Sequence, residues 1–139
     1  MAEAGLTLVV EDPPGPETRG ALAQAIHAFH GETVAPDQRR IAWLLRDEAG
    51  RLSAGLVGVL SWRWLFVEAL WVDQARRGQG LGAGLLARAE DAARRAGCHG
   101  AWLDTFQASG FYRAQGYEEF GSLEDYPPGQ SRHFLRKRL

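Results

Sequence analysis

The sequence predicts an α/β (α+β) fold with a mixed, mostly antiparallel central sheet of about seven strands. Three observations point to it. A strand ending Leu70-Trp71-Val72 runs into a glycine-rich turn that opens directly into a long Ala/Leu/Arg helix. That helix is followed by a second strand-like run, Gly100 to Asp104, so the three pieces make a parallel crossover unit. The remaining short apolar runs are separated by tight turn clusters, the pattern of antiparallel pairs.

Leu6 to Val10 is short, apolar and β-branched, and reads as a strand. Glu11 to Pro16 holds three prolines and a glycine, which block its continuation. Glu17 to His30 places Leu22, Ile26 and Phe29 at helical spacing, and Gly31 is a plausible stop. Arg39 to Arg46 fits a strand or a short helix. The turn cluster Asp47-Glu48-Ala49-Gly50 and the returning run Leu52 to Trp62 favour the strand. Gly55 and Gly58 mark a bulge or close backbone packing in that returning run, and Ser61-Trp62-Arg63 reads as a second turn. Trp64 to Val72 is apolar apart from Glu68, as expected of a central strand covered on both faces.

The helix from Gly80 to Ala96 carries Leu81, Leu85, Ala89, Ala92 and Ala96 on one stripe. Glu90–Arg94 and Asp91–Arg95 are read as i,i+4 pairs on its wet side. Gly97 ends it. After Gly100 to Asp104, Ala108 to Gln115 reads as a short helix stopped by Gly116. Tyr117 to Leu123 and Arg132 to Arg138 are the last strands, and Arg136-Lys137-Arg138 is expected to form the polar face of an edge strand.

At 139 residues, a single domain covering residues 1–139 is expected. Folding a chain of this length buries about two-thirds of its unfolded surface, enough for a real core. Sixteen basic and seventeen acidic residues nearly cancel, so no broad electrostatic footprint for nucleic acid or an anionic membrane is expected. The lone Cys98 excludes an internal disulfide and a multi-cysteine metal site and reads as packing. No spacing groups His27, His30, His99 and His133 as metal ligands. No apolar run approaches a membrane span and Met1 to Gly5 lacks a signal pattern, so the cytoplasm is the expected location.

The glycine turn carries the functional signal. N–H groups at a helix start lack partners within the helix, and the dipole there is positive. Glycines let such backbone approach a ligand closely. An anionic ligand, a pyrophosphate, is therefore expected at Arg77 to Ala83. Arg76 reads either as added charge near a phosphate or as a solvated turn residue. Three ligand-binding readings compete, beside that of a glycine-rich turn with no ligand. The phosphate loop of NTPases needs Lys and Ser/Thr after its last glycine, whereas Gly82 is followed by Ala83-Gly84. A dinucleotide fingerprint is satisfied in permissive form by Gly78, Gly80 and Ala83, with Asp104 about 20 residues on as the ribose acid. That fold needs several parallel strands after the fingerprint, and the short remainder here looks antiparallel. In the third reading, Arg77-Gly78-Gln79-Gly80-Leu81-Gly82 resembles the R/Q-x-x-G-x-G/A acetyl-CoA loop of the GNAT family of N-acetyltransferases.

Phe111-Tyr112-Arg113-Ala114-Gln115-Gly116-Tyr117 resembles a second signature of that family, F-Y-x-x-x-G-[FY]. The resemblance covers nearly the whole chain. Its ending looks like that of small bacterial members without an assigned substrate. It implies a central sheet with helices on both faces, acetyl-CoA as donor, a direct transfer to an amine of a small molecule or peptide, and a homodimer. It also implies a site. Main-chain groups of Leu70, Trp71 and Val72 hold the pantetheine arm, with the Val72 N–H facing the acetyl oxygen. Arg77, Gly78, Gln79, Gly80, Leu81, Gly82 and Ala83 hold the pyrophosphate. Gln107 stands where many members carry an Asn on the arm, in a segment (Thr105 to Ser109) about two residues shorter than theirs.

Tyr112 is implied as the general acid for the leaving thiolate. A phenol's reference pKa of about 10 suits that task; the competing reading is a core aromatic. Glu68, nine positions before Arg77, matches a proposed base of polyamine-type members. It reads equally as a contact to an amine's positive charge, a salt bridge, or an exposed position. Two rivals remain: a non-catalytic acyl-CoA sensor, which needs neither Tyr112 nor Glu68, and a dinucleotide-binding oxidoreductase.

Overall fold

The computed structural model describes residues 2–139. The chain forms two compact units, one ending at Pro36 and one running from Asp37 to Leu139.

In the first unit, β1 (Ala2–Glu3) and β2 (Leu6–Thr7) form a two-stranded antiparallel ribbon. Ala4 and Gly5 both take positive φ and reverse the chain at once. The strand expected over Leu6 to Val10 is therefore cut to Leu6–Thr7, and it pairs locally instead of joining the main sheet. Glu11 accepts the Gly15 N–H at 3.0 Å and the Thr18 hydroxyl at 2.8 Å, fixing the approach to helix α1 (Pro16–Gly31). Those two bonds hold the Glu11 carboxyl below the usual carboxylate range. Pro16 sits in the first turn, where a missing N–H costs nothing.

The second unit is a six-stranded sheet in the order β3-β4-β5-β6-β8-β7. β3 (Gln38–Arg46) and β4 (Leu52–Ser61) form a hairpin whose turn is held by Asp47, which accepts the N–H groups of Ala49 and Arg51, each at 2.9 Å. A two-residue turn with positive φ at Trp62 and Arg63 leads into β5 (Trp64–Val72), the geometry that matches strand twist. Gly55 and Gly58 are required by close packing: an added Cβ would stand 2.9 Å from Leu44 Cδ2 or 2.8 Å from Leu65 Cδ1. Opposite Gly58 the register slips. Val57 faces Ala69 and Gly58 faces Val67, so Glu68 is the extra, bulged residue of β5. β5 is central but is not covered throughout: beyond the bulge Glu68, Ala69 and Trp71 are exposed.

Helix α2 (Leu81–Arg95) packs on β4 and β5 and returns the chain to β6 (Gly100–Thr105), which pairs parallel with β5 where every other strand pair among the described residues is antiparallel. Its buried residues are Leu85, Leu86, Ala89, Glu90 and Ala93, a stripe rotated from the expected one. Glu90 is thus not on the wet side. Only Asp91 meets solvent among the acids of α2, and it pairs with Arg94, not Arg95. Helix α3 (Ser109–Ala114) leads to β7 (Glu118–Glu124) and β8 (Ser131–Arg138).

β8 inserts between β6 and β7, so β7 takes the edge and the Arg136-Lys137-Arg138 run is not on an edge strand. The side chains of β8 alternate, and Lys137 shares the inner face with Leu135, which is fully buried. The core joins Leu56 and Leu65 of the sheet to Leu85, Leu86, Leu103, Tyr112, Tyr117 and Leu135.

Candidate active site

β5 and β6 pair over only three residues, Trp64↔Gly100, Leu65↔Ala101 and Phe66↔Trp102. Beyond them β5 bulges at Glu68 and runs on to Val72, while β6 runs on to Thr105 unpaired on that side. The two strands diverge, and main-chain groups on their facing edges have no ladder partner there. A groove of about 690 Å³ opens at this point. Leu70, Trp71 and Val72 form one wall; Gln107, Ala108, Phe111, Tyr112 and Gln115 form the other. Its far end is the glycine turn, with Arg76, Arg77, Gly78 and Gly80, and the helix start Leu81-Gly82-Ala83.

The turn is built to expose main chain. The Asp73 N–H donates to Ser53 O at 2.8 Å and the Arg76 N–H to Asp73 O at 2.8 Å, anchoring its entry. The Arg77 Nε–H donates to Val72 O at 2.9 Å, tying the turn to the end of β5. Gly78 and Gly80 have φ of 78° and 79°, which favours glycine. Neither has a protein atom within 4 Å of where a Cβ would stand, so packing does not demand these glycines. The backbone conformation and the open space in front of it do. Gly84 N–H to Gly80 O, at 2.9 Å, is the first main-chain bond of α2, and Gly80 supplies no side-chain cap. The N–H groups of Leu81, Gly82 and Ala83 are left to an outside acceptor, with the positive end of the helix dipole behind them. Gly82 holds this first turn against the wall: a Cβ there would lie 3.4 Å from Phe111 Cζ and 3.6 Å from Val72 Cγ2.

Tyr112 sits in α3 with 7% of its surface exposed, edge-on to Phe111 at 5.0 Å. Burial pushes its phenol up to about 12. The Ala108 N–H bonds to Thr105 Oγ1 at 3.1 Å, closing the short link from β6 to α3 and bringing Gln107 to the groove.

Every sequence-expected site residue lines the groove except Gln79 and Glu68. Glu68 stands on the bulge in a forked pair with Arg40, Nη2 to Oε1 at 3.1 Å and Nε to Oε2 at 3.2 Å. Ala108, Phe111 and Gln115 also line it, a role that sequence reasoning misses. Their helical spacing with Tyr112 is the available signal. Asp104, the acid of the dinucleotide reading, is taken by Arg132 at 2.7 Å. A second cleft of similar volume, about 640 Å³, lies by Trp64, His99 and the end of β8. Size does not separate the two; unpaired main-chain donors at a helix start distinguish the groove.

The sequence profile of the Acetyltransferase (GNAT) family matches residues 6–117. The chain is similar to a blasticidin-S acetyltransferase of Streptomyces morookaense, 52% identical over 66% of this chain and 70% of that protein. It is also similar to an acetyltransferase of Agrobacterium fabrum, 34% identical over 96% of this chain and 100% of that one. A crystal structure of an acetyltransferase from Agrobacterium tumefaciens superposes with a TM-score of 0.91 at 34% identity, covering 96% and 99% of the two chains.

Proposed function

This chain belongs to the acetyltransferase (GNAT) family, and on that premise we propose that it moves an acetyl group directly to an amine of a small molecule or peptide. It is an N-acetyltransferase and its donor is acetyl-CoA. The donor supplies an acetyl group activated as a thioester; the chain supplies grip, orientation and proton handling.

The residues present fit that donor. Free N–H groups at the start of α2, with Arg76 and Arg77 beside them, suit a diphosphate. The unpaired edges of β5 and β6 suit an extended amide-bearing arm, which takes main-chain hydrogen bonds as an added strand does. In this reading Leu70, Trp71, Val72 and Gln107 hold the arm, and the Val72 N–H stabilises charge on the acetyl oxygen. Burial keeps the Tyr112 phenol protonated at working pH and also makes it a weaker acid, so donation to the leaving thiolate relies on its hydroxyl standing close to the sulfur. Glu68, on the bulge, takes the amine's proton through water or binds its positive charge. No acyl-enzyme is required: Cys98 is buried and desolvation pushes its thiol up, away from a reactive thiolate.

The divergence of β5 from β6 over an open glycine turn is the observation that carries this proposal. The reading takes residues 1–139 as one acetyltransferase domain, supported by a relative similar along 96% of the chain. A cytoplasmic homodimer is proposed from the same family resemblance. Among the described residues no helix is long and apolar enough to cross a membrane. Blasticidin S is the first acceptor to try, since a relative 52% identical is named for it.

The test is steady-state thiol release from acetyl-CoA over blasticidin S, aminoglycosides, polyamines, amino acids and peptides. Turnover with one class is expected. Tight acetyl-CoA binding with no turnover on any amine would favour the sensor, and tight NADH binding without coenzyme A binding would favour the oxidoreductase.

A further inference from the structure

Three elements converge on one buried carboxylate beside Tyr112. Glu90, on α2, has 4% of its surface exposed. The Tyr117 hydroxyl donates to its Oε2 at 2.7 Å and the Lys137 ammonium to its Oε1 at 2.8 Å, while Arg94 stands 4.0 Å away. Tyr117 follows the end of α3. Its N–H donates to Tyr112 O at 3.0 Å, and its ring meets that of Tyr112 edge to face at 5.8 Å. Lys137 comes from β8, its ammonium 5.6 Å over the Tyr117 ring and its stem against Gly116. The helix that opens in the glycine turn, the segment bearing Tyr112 and an inner strand are thus joined at a single side chain.

Packing alone does not account for it. A buried ion pair is often matched or bettered in stability by apolar residues of similar volume, whereas removing one partner is costly. A group so expensive to bury is better explained by what it fixes. The Tyr117 hydroxyl bond pins the ring on which the Tyr112 ring leans, and Lys137 holds the Glu90 carboxyl group in place for that bond. The Tyr112 ring has no such tether of its own: its aromatic neighbours are Phe111 and Tyr117, and burial rather than a charged partner raises its phenol.

We infer that Glu90, Tyr117 and Lys137 form a positioning device that holds the Tyr112 hydroxyl on line with the leaving sulfur, with Tyr117 as the transmitting residue. The inference rests on Tyr112 acting as the proton donor. None of the three is a catalytic residue, since none touches the groove. Small misplacements of a reacting group lower turnover without weakening binding.

A double-mutant cycle between Tyr117→Phe and Tyr112→Phe, measured on the full chain with acetyl-CoA and an accepted amine, tests it. Tyr117→Phe keeps the ring and removes only the hydroxyl. It should lower kcat about tenfold with the acetyl-CoA KM changed less than about twofold, and it should have no further effect once Tyr112 is Phe. Glu90→Gln keeps an oxygen for Tyr117 and gives a second cycle, expected to show a several-fold loss that also vanishes in the Tyr112→Phe background. An unchanged kcat in Tyr117→Phe, or losses that multiply in the double variant, overturns the inference. Should Tyr112→Phe itself leave kcat unchanged, the proton-donor reading fails first, and the two failures are told apart.

Discussion

Replacing Glu68 by Gln separates two energies that differ several-fold. Among the described residues Glu68 is held by Arg40 alone, through a fork of 3.1 and 3.2 Å, with 39% of its side chain and 57% of that of Arg40 exposed. Water screens such a pair, and exposed pairs contribute about 1 kcal/mol at most. Its loss should lower the melting temperature by no more than about 4 °C. If Glu68 takes the proton of the amine, its removal should lower kcat about 10²- to 10⁴-fold, a barrier increase of roughly 3–5 kcal/mol. The bulge sharpens the contrast. Glu68 has no partner across the β4–β5 ladder, so the amide need not disturb the register. The assay is thiol release with saturating amine, run beside a thermal melt of the same preparation. A hundredfold loss in kcat with an almost unchanged melt is expected. A kcat within threefold of wild type refutes the base role, and a rise confined to the amine KM would assign Glu68 to charge recognition instead.

Other consequences are as direct. Gly80→Val puts a β-branched side chain at φ 79°, costing about 1–2 kcal/mol in backbone strain, and fills the open space before the helix start. Calorimetry should show coenzyme A binding weakened at least about tenfold, and an unchanged Kd would place the ligand elsewhere. Gly100→Ala would set a Cβ 2.5 Å from the Trp64 ring; the ring must move, and urea unfolding should show a loss of about 1–3 kcal/mol, whereas a neutral result would contradict this packing. The phenols of Tyr112 and Tyr117 are both pushed up by burial, that of Tyr112 to about 12. The folded state therefore binds these protons more tightly than the unfolded chain, whose phenols titrate near about 10. The contribution of Tyr112 is complete below about pH 10 and is lost as the pH rises through about 12, and the loss from Tyr117, whose phenol is raised further, continues to higher pH. Tyr112→Phe should flatten that alkaline fall in urea midpoints, and an equal fall in the variant would remove Tyr112 as its source.

What is legible in the sequence is local. The strand, glycine turn and helix start are consecutive, so Leu70–Val72 and Arg77–Ala83 fall together from chain order alone, as does the motif around Tyr112. The α3 side of the groove follows less completely, because Phe111 and Gln115 read as ordinary members of a short helix. Long-range facts are hidden. Glu90 sits four residues before Arg94 and reads as a surface acid; the Arg94 pair is present at 4.0 Å, but the shorter contacts that bury it come from 27 and 47 residues away. Lys137 offers a faint signal, since it shares strand parity with Leu135 and so points inward. The insertion of β8 between β6 and β7 leaves no mark in the pattern either, because two adjacent antiparallel strands can add to a sheet in either order. At the other end, the strand expected from Leu6 loses to a tighter competitor, the immediate reversal at Ala4 and Gly5. The bulge at Glu68 belongs to the same class: one ionisable residue in an apolar strand announces a special position, but not that it is an extra residue in the ladder.

The most direct measurement is a crystal structure of the protein with acetyl-CoA bound. The diphosphate is expected on the N–H groups of the turn between Arg77 and Ala83, with the acetyl group in the gap where β5 leaves β6, between Val72 and Gln107. A diphosphate seated elsewhere, with those N–H groups turned to water, would contradict it.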